Sequence, residues 1–134
     1  MQLGGVNMAQ KQGRSAMLND LLRSLVDASA DFEGAVLVGL DGLVMAAAWP
    51  IEGQSDLEVG AVATRAFELS DQTTGILGRG ALQRLIMLGS DGNMIITRAG
   101  PEALCAVLLK PQAKVGIASY EASRISDEIA RVLE

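Results

Sequence analysis

The stretch AVLVGLDGLVMAAA, residues 35–48, decides how this chain folds. Two β-prone apolar runs flank Asp41-Gly42, and an Asp-Gly pair supplies the positive φ angles that a tight hairpin turn needs. The spacing predicts two antiparallel strands, the second covering about Leu43–Ala48. Nearly every position in both runs is apolar, so both faces of this part of the sheet are expected to be covered. The pattern returns downstream. Residues 82–89 (LQRLIMLG), the turn Ser90-Asp91-Gly92 and residues 93–98 (NMIITR) read as a second hairpin. Gly100-Pro101-Glu102 makes another turn, and residues 103–109 (ALCAVLL) read as a fifth strand. The two hairpins resemble each other in pattern without forming a sequence repeat.

Between the hairpins, Ser55-Asp56-Leu57-Glu58 has the form of a capping box. It opens a helix that runs to about Leu77, with Gly78 as its stop. Glu58, Arg65, Glu68 and Gln72 fall on one narrow face of this helix. The rest of its circumference is mostly apolar or small, from Leu57 and Val59 through Ala61, Val62, Phe67 and Leu69. One stripe is enough to pack a helix on a sheet, so the breadth predicts a second contact. Gly60, Ala61 and Thr64 permit close approach of another helix there.

Two more helices enclose this unit. The first is expected from about Ser15, a plausible N-cap, to Ala30, with Leu18, Leu21, Leu22, Leu25 and Val26 as its buried stripe. The last is expected from about Val115 to Leu133, burying Ala118, Ala122, Ile125, Ile129 and Val132. Residues 1–14 are polar, contain glycine and lack a sustained period, so they read as a mobile tail ahead of a single domain over 15–134. The order is α-β-β-α-β-β-β-α, and short turns make the strands antiparallel. The fold class is α+β, a five-stranded sheet sandwiched by helices.

Composition narrows the function. The chain has 134 residues, enough for one core, and 49% of them are hydrophobic while only 3% are aromatic. So much apolar surface in so small a domain is often covered in part by another subunit. The net charge is −5, which speaks against nucleic-acid binding and polybasic membrane attraction. There is no apolar run long enough to span a bilayer. Cys105 is the single cysteine, and it fits a reducing compartment; the expected location is cytoplasmic. The absence of histidine removes Ser-His and Cys-His catalysis and most zinc sites.

The remaining candidates have structural readings. Gly75-Ile-Leu-Gly78-Arg-Gly80 is not followed by Lys-Ser/Thr, so it is not a phosphate loop, and it reads as a helix cap and connector. Asp41 and Asp91 sit in Asp-Gly turns, where their backbone geometry explains them better than metal or acid–base chemistry. Cys105 lies in an apolar strand and reads as a buried structural thiol. Arg79 and Arg84 flank the start of the third strand and read as solvated arginines rather than an arginine finger. Trp49 is either a satellite core residue or an interface anchor. No cofactor or metal is expected, and no enzymatic activity.

The run from Gly34 to Val44, the Ser-capped long helix, LQRLIMLGSDGNMIITRAGPEALCAVLL and the closing VGIASYEASRISDEIARVL together resemble the roadblock/dynein light chain family, in the style of its bacterial MglB type. The resemblance spans about Ser15 to Leu133 and implies a roadblock-like, profilin-like fold. It also implies a homodimer in which central helices pair antiparallel and two sheets join through an edge strand, here the second. The interface residues so implied are Leu43, Val44, Met45, Leu57, Gly60, Ala61, Thr64 and Phe67. Glu58, Arg65, Glu68 and Gln72 would border a docking platform for a small Ras-like GTPase. MglB-type proteins promote GTP hydrolysis without lending a catalytic arginine. Other members are structural scaffolds, and a small-molecule sensory domain is a further alternative.

Overall fold

The computed structural model describes residues 8–51 and 53–134. Its elements are α1 (Met8–Asp27), β1 (Phe32–Gly39), β2 (Val44–Ala48), α2 (Asp56–Ile76), β3 (Arg84–Gly89), β4 (Gly92–Arg98), β5 (Ala103–Leu109) and α3 (Val115–Leu133). This is the predicted order. The five strands form one antiparallel sheet in the order β2-β1-β5-β4-β3.

The apolar runs that lack alternation lie in the middle of the sheet. β1 and β5 are buried along nearly their whole length, because α1 and α3 cover one face and α2 covers the other. On the first face Ala35, Leu37, Cys105 and Val107 meet Leu22 and Leu25 of α1 and Ile125 and Ile129 of α3. On the second, Val38, Ile96, Leu104 and Ala106 meet Ala63 and Phe67 of α2. Each fully buried aliphatic side chain contributes about 1.5–3 kcal/mol relative to exposure.

Local geometry departs from expectation in three places. Helix α1 is already formed at Met8, so Ser15 is an interior helical residue and not its N-cap, and residues 8–14 are helical where a tail was expected. Only residues 1–7 of that stretch lie outside the described residues. Arg14 helps hold this part of α1: its guanidinium donates to the carbonyls of Val132 and Leu133, at 3.4 and 3.3 Å. The apolar stripe begins at Leu18, which is why periodicity did not reveal the earlier turns.

The first hairpin turn is a three-residue loop, Leu40-Asp41-Gly42. Gly42 N–H donates to Gly39 C=O and Gly39 N–H to Leu43 C=O, each at 2.9 Å. Only Gly42 takes a positive φ, +86°, while the Asp41 carboxylate accepts the Leu43 N–H at 3.1 Å. This is a turn closed by a left-handed glycine, in place of the two-residue turn predicted. The second hairpin does turn on two residues, but they are Ser90-Asp91. Gly89 pairs with Gly92, which opens β4, and neither takes a positive φ.

Both ends of α2 form as the sequence indicates. Ser55 Oγ accepts the Glu58 N–H at 3.5 Å. At the other end Arg79 N–H reaches Thr74 C=O at 2.7 Å and Gly78 N–H reaches Gly75 C=O at 3.1 Å, with Gly78 at φ +69°. This pair of bonds is a Schellman motif.

Candidate interaction surface

Among the described residues, no group of Cys, Asp and Glu side chains is arranged to hold a metal ion. Cys105 is fully buried, and burial pushes its thiol up to about 12, with a hydrogen bond from Ser126 pulling weakly the other way. A thiol so protonated is a poor nucleophile. Asp41 serves its turn, and Gly78 and Gly80 form the connector after α2. Trp49 is half-buried: its indole N–H donates to Gln54 C=O at 2.9 Å, and its ring lies so close to Gly34 that a β-carbon there would sit 2.9 Å from it. That contact favours the satellite-core reading.

The notable features are surfaces. Helix α2 turns Gly60, Ala63, Thr64 and Phe67 onto its own sheet. A β-carbon at Gly60 would meet Val44 Cγ2 at 3.0 Å and Val38 Cγ2 at 3.3 Å, so glycine sets how closely helix and sheet approach. Thr64 satisfies its hydroxyl on Gly60 C=O at 2.8 Å. Gly60, Thr64 and Phe67, expected to line a helix–helix contact between chains, are interior to the protomer. Small residues permit close approach to whatever lies opposite, and here it is the sheet.

The opposite side of α2 is apolar and open. Val62, Leu69 and Ile76 are 44%, 65% and 84% exposed. They recur every seven residues, with Ala66 and Thr73 between, which is the spacing of a helix-pairing seam. Arg65 and Gln72 line one flank, with Glu58 and Glu68 also exposed. Leu57 and Ala61 are exposed. The heptad spacing of Val62, Leu69 and Ile76 was present in the sequence and is the signal that could have marked them as the outward face of α2.

The two sheet edges differ. β3 is six residues long and pairs with β4 in unbroken register, from Arg84 opposite Thr97 to Gly89 opposite Gly92. Its Ile86 and Leu88 are exposed, while Leu85 and Met87 pack against the core beneath α2. β2 is five residues long and bulged opposite Leu37 and Val38. Leu43 and Met45 are exposed, whereas Val44 is half-buried against Gly60.

A cluster that sequence reasoning missed ties α2 to the end of β4 and to the connector ahead of β3. Arg98 stacks over the Phe67 ring at 4.9 Å, donates to Leu82 C=O at 2.8 Å and pairs with Asp71 at 3.3 Å. Asp71 also accepts the Leu82 N–H at 2.8 Å. Arg98 lies 16 residues from Leu82 and 27 from Asp71 in sequence, so no local spacing exposes the cluster. Arg84 is likewise engaged, donating to Ser123 Oγ at 2.6 Å, and Arg79 is exposed.

A shallow groove of about 790 Å³ opens at the hairpin tips, lined by Leu40, Leu43, Met45 and Leu133. Its walls are mainly apolar, and the donors of its Arg14 are directed at α3 carbonyls. Its other charged lining residues are Asp41, which accepts the N–H of Leu43 in its own turn, and Glu102 and Glu134 at the rim.

Comparison with known proteins agrees with this architecture. An uncharacterised protein of Methanocaldococcus jannaschii is 34% identical over 98 residues, covering 72% of this chain and 83% of that protein. The crystal structure of a Roadblock/LC7 domain from Streptomyces avermitilis superposes with a TM-score of 0.79 at 22% identity, covering 86% of this chain and 96% of that one. The gliding protein MglB of Thermus thermophilus superposes with a TM-score of 0.79 at 17% identity, covering 98% of this chain and 97% of that one. Residues 18–109 match the Roadblock/LC7 domain, and the chain belongs to that family.

Proposed function

We propose that this protein is a non-enzymatic, homodimeric regulator of a small Ras-like GTPase. The observation that carries the reading is the outward seam Val62-Leu69-Ile76, an apolar stripe on a helix whose opposite face is already used. Pairing with the same seam of a second copy would remove it from water. Family membership and the likeness to MglB structures support the choice of partner class.

The edge that joins the two sheets is, in our reading, β3 and not β2. Antiparallel pairing of β3 with a second β3 about Met87 sets Ile86 of each copy opposite Leu88 of the other. Cross-strand partners share a face, so the exposed apolar residues cover each other. β2 offers a shorter and bulged edge. Leu57 and Ala61 fall on the flank of Glu68 and Gln72, so with Leu43, Val44 and Met45 they leave the proposed interface.

The dimer would act by differential binding, favouring one switch conformation of the GTPase. Glu58, Arg65, Glu68 and Gln72, exposed beside the seam, border the docking platform. In this reading the switch residues of the GTPase itself supply the chemistry; Arg84 is engaged with Ser123, and Arg79→Ala should leave the acceleration intact.

The test is GTP hydrolysis by a Ras-like GTPase encoded in the same genome, with and without this protein. An acceleration of about tenfold or more, equivalent to about 1.4 kcal/mol of barrier, is expected from the wild type and not from Leu69→Glu. Nucleotide-dependent binding without acceleration would identify an effector or scaffold. Absence of binding in either nucleotide state would refute the GTPase reading.

A further inference from the structure

An isologous pair of β3 edges leaves two β2 edges at the ends of a ten-stranded sheet. An open edge there would let sheets add end to end, because unpaired N–H and C=O groups template further strands. Three features of this chain oppose that. Ala47 sits opposite Val36, and its N–H turns away from β1 toward the outer edge, where Asn19 Oδ1 of α1 accepts it at 3.3 Å. The bulge opposite Leu37 and Val38 breaks the register on the Met45 side. Beyond Ala48 the strand runs into Trp49-Pro50, where Trp49 is seated on Gly34 and Pro50 has no N–H to offer. β3 carries none of these devices.

We infer that Asn19 is an edge guard: by occupying the outward amide of Ala47 it closes β2 to strand addition and limits the sheet to two copies. The inference rests on the β3 pairing proposed above. Asn19 lies on the exposed side of α1, away from the core stripe of Leu18, Leu22 and Leu25, so it can be changed without disturbing the helix packing. An added strand would need the Ala47 N–H for its own ladder and would have to displace Asn19 first.

The experiment compares the wild type, Asn19→Ala, and Asn19→Ala combined with Pro50→Val, which restores a backbone donor at the strand end. Amide exchange of Ala47 is followed by NMR, and mass by sedimentation over a range of concentrations. Loss of one exposed hydrogen bond is expected to speed Ala47 exchange by about two- to tenfold. The wild type is expected to stop at the mass of two chains, and the double variant to form larger species as concentration rises. Unchanged exchange in Asn19→Ala, or a double variant that stops at two chains, would overturn the guard. A wild type that stays a single chain would refute the β3 pairing, and the exchange of Ala47 would then decide the role of Asn19 by itself.

Discussion

Phe67 and Leu69 are two residues apart on α2, yet the structure assigns them opposite fates. Phe67 is 2% exposed, packed among Val38, Ile96, Leu104 and Ala106, with the Arg98 guanidinium over its ring at 4.9 Å. Phe67→Ala removes that burial, leaves a cavity and strips Arg98 of its stacking partner. The cost is about 3–5 kcal/mol, a large part of the total stability of a small domain. For a domain of this size it lowers Tm by about 10–20 °C. Leu69 is 65% exposed, so Leu69→Ala changes the stability of the single chain by no more than about 0.5 kcal/mol. Its effect falls on association, where truncating a central apolar side chain weakens a dimer by about tenfold. Urea unfolding of each variant, followed by circular dichroism at concentrations where the chains are dissociated, separates the two effects. A Phe67→Ala variant within about 1 kcal/mol of the wild type, or a dissociated Leu69→Ala as unstable as Phe67→Ala, would refute the assigned faces of α2.

Other consequences can be checked in the same protein. Gly60→Val forces a branched side chain onto Val44 and Val38 and destabilises the fold by about 1–3 kcal/mol, read by thermal unfolding of dissociated chains; a neutral result would mean that Gly60 does not set the helix–sheet distance. Ser55→Ala removes the N-cap acceptor of α2 and costs about 0.5–1 kcal/mol in urea unfolding, the low end for a cap because the bond is 3.5 Å long. Cys105 stays protonated in the native state up to about 12, against 9.0 ordinarily, so its contribution to stability is complete below pH 9 and is lost as pH rises through that window. Cys105→Ala is therefore expected to flatten the alkaline fall in stability, and native protein at about pH 8 should resist a thiol reagent that labels the unfolded chain at once.

The order of elements along the chain and the capping of α2 were legible because they rest on local signals, whereas the order of strands across the sheet was not read. Turn residues between β-prone runs marked the strands, and Ser55 with Gly78 marked the helix. The turn at Asp91-Gly92 differs from expectation because the same dipeptide can end a turn as well as form its centre, and only strand register distinguishes the two. Residues 8–14 of α1 were illegible because that part of the helix precedes its apolar stripe. The face of α2 was the harder problem. Its circumference is apolar nearly all round, so small residues such as Gly60 and Thr64 fitted a helix–helix contact as well as a helix–sheet contact, and only the position of β1 and β2 beneath them decides. The Arg98-Asp71-Leu82 cluster joins distant segments and has no sequence signature.

Sedimentation equilibrium of the wild type and Leu69→Glu at tens of micromolar tests the central claim, the pairing of two chains through the outward seam of α2, most directly. A charge at the middle of that seam should separate the copies while leaving the protomer folded. The account predicts the mass of two chains for the wild type and of one chain for the variant, with unchanged far-ultraviolet circular dichroism. A single-chain mass for the wild type, or a variant that still pairs, would contradict it.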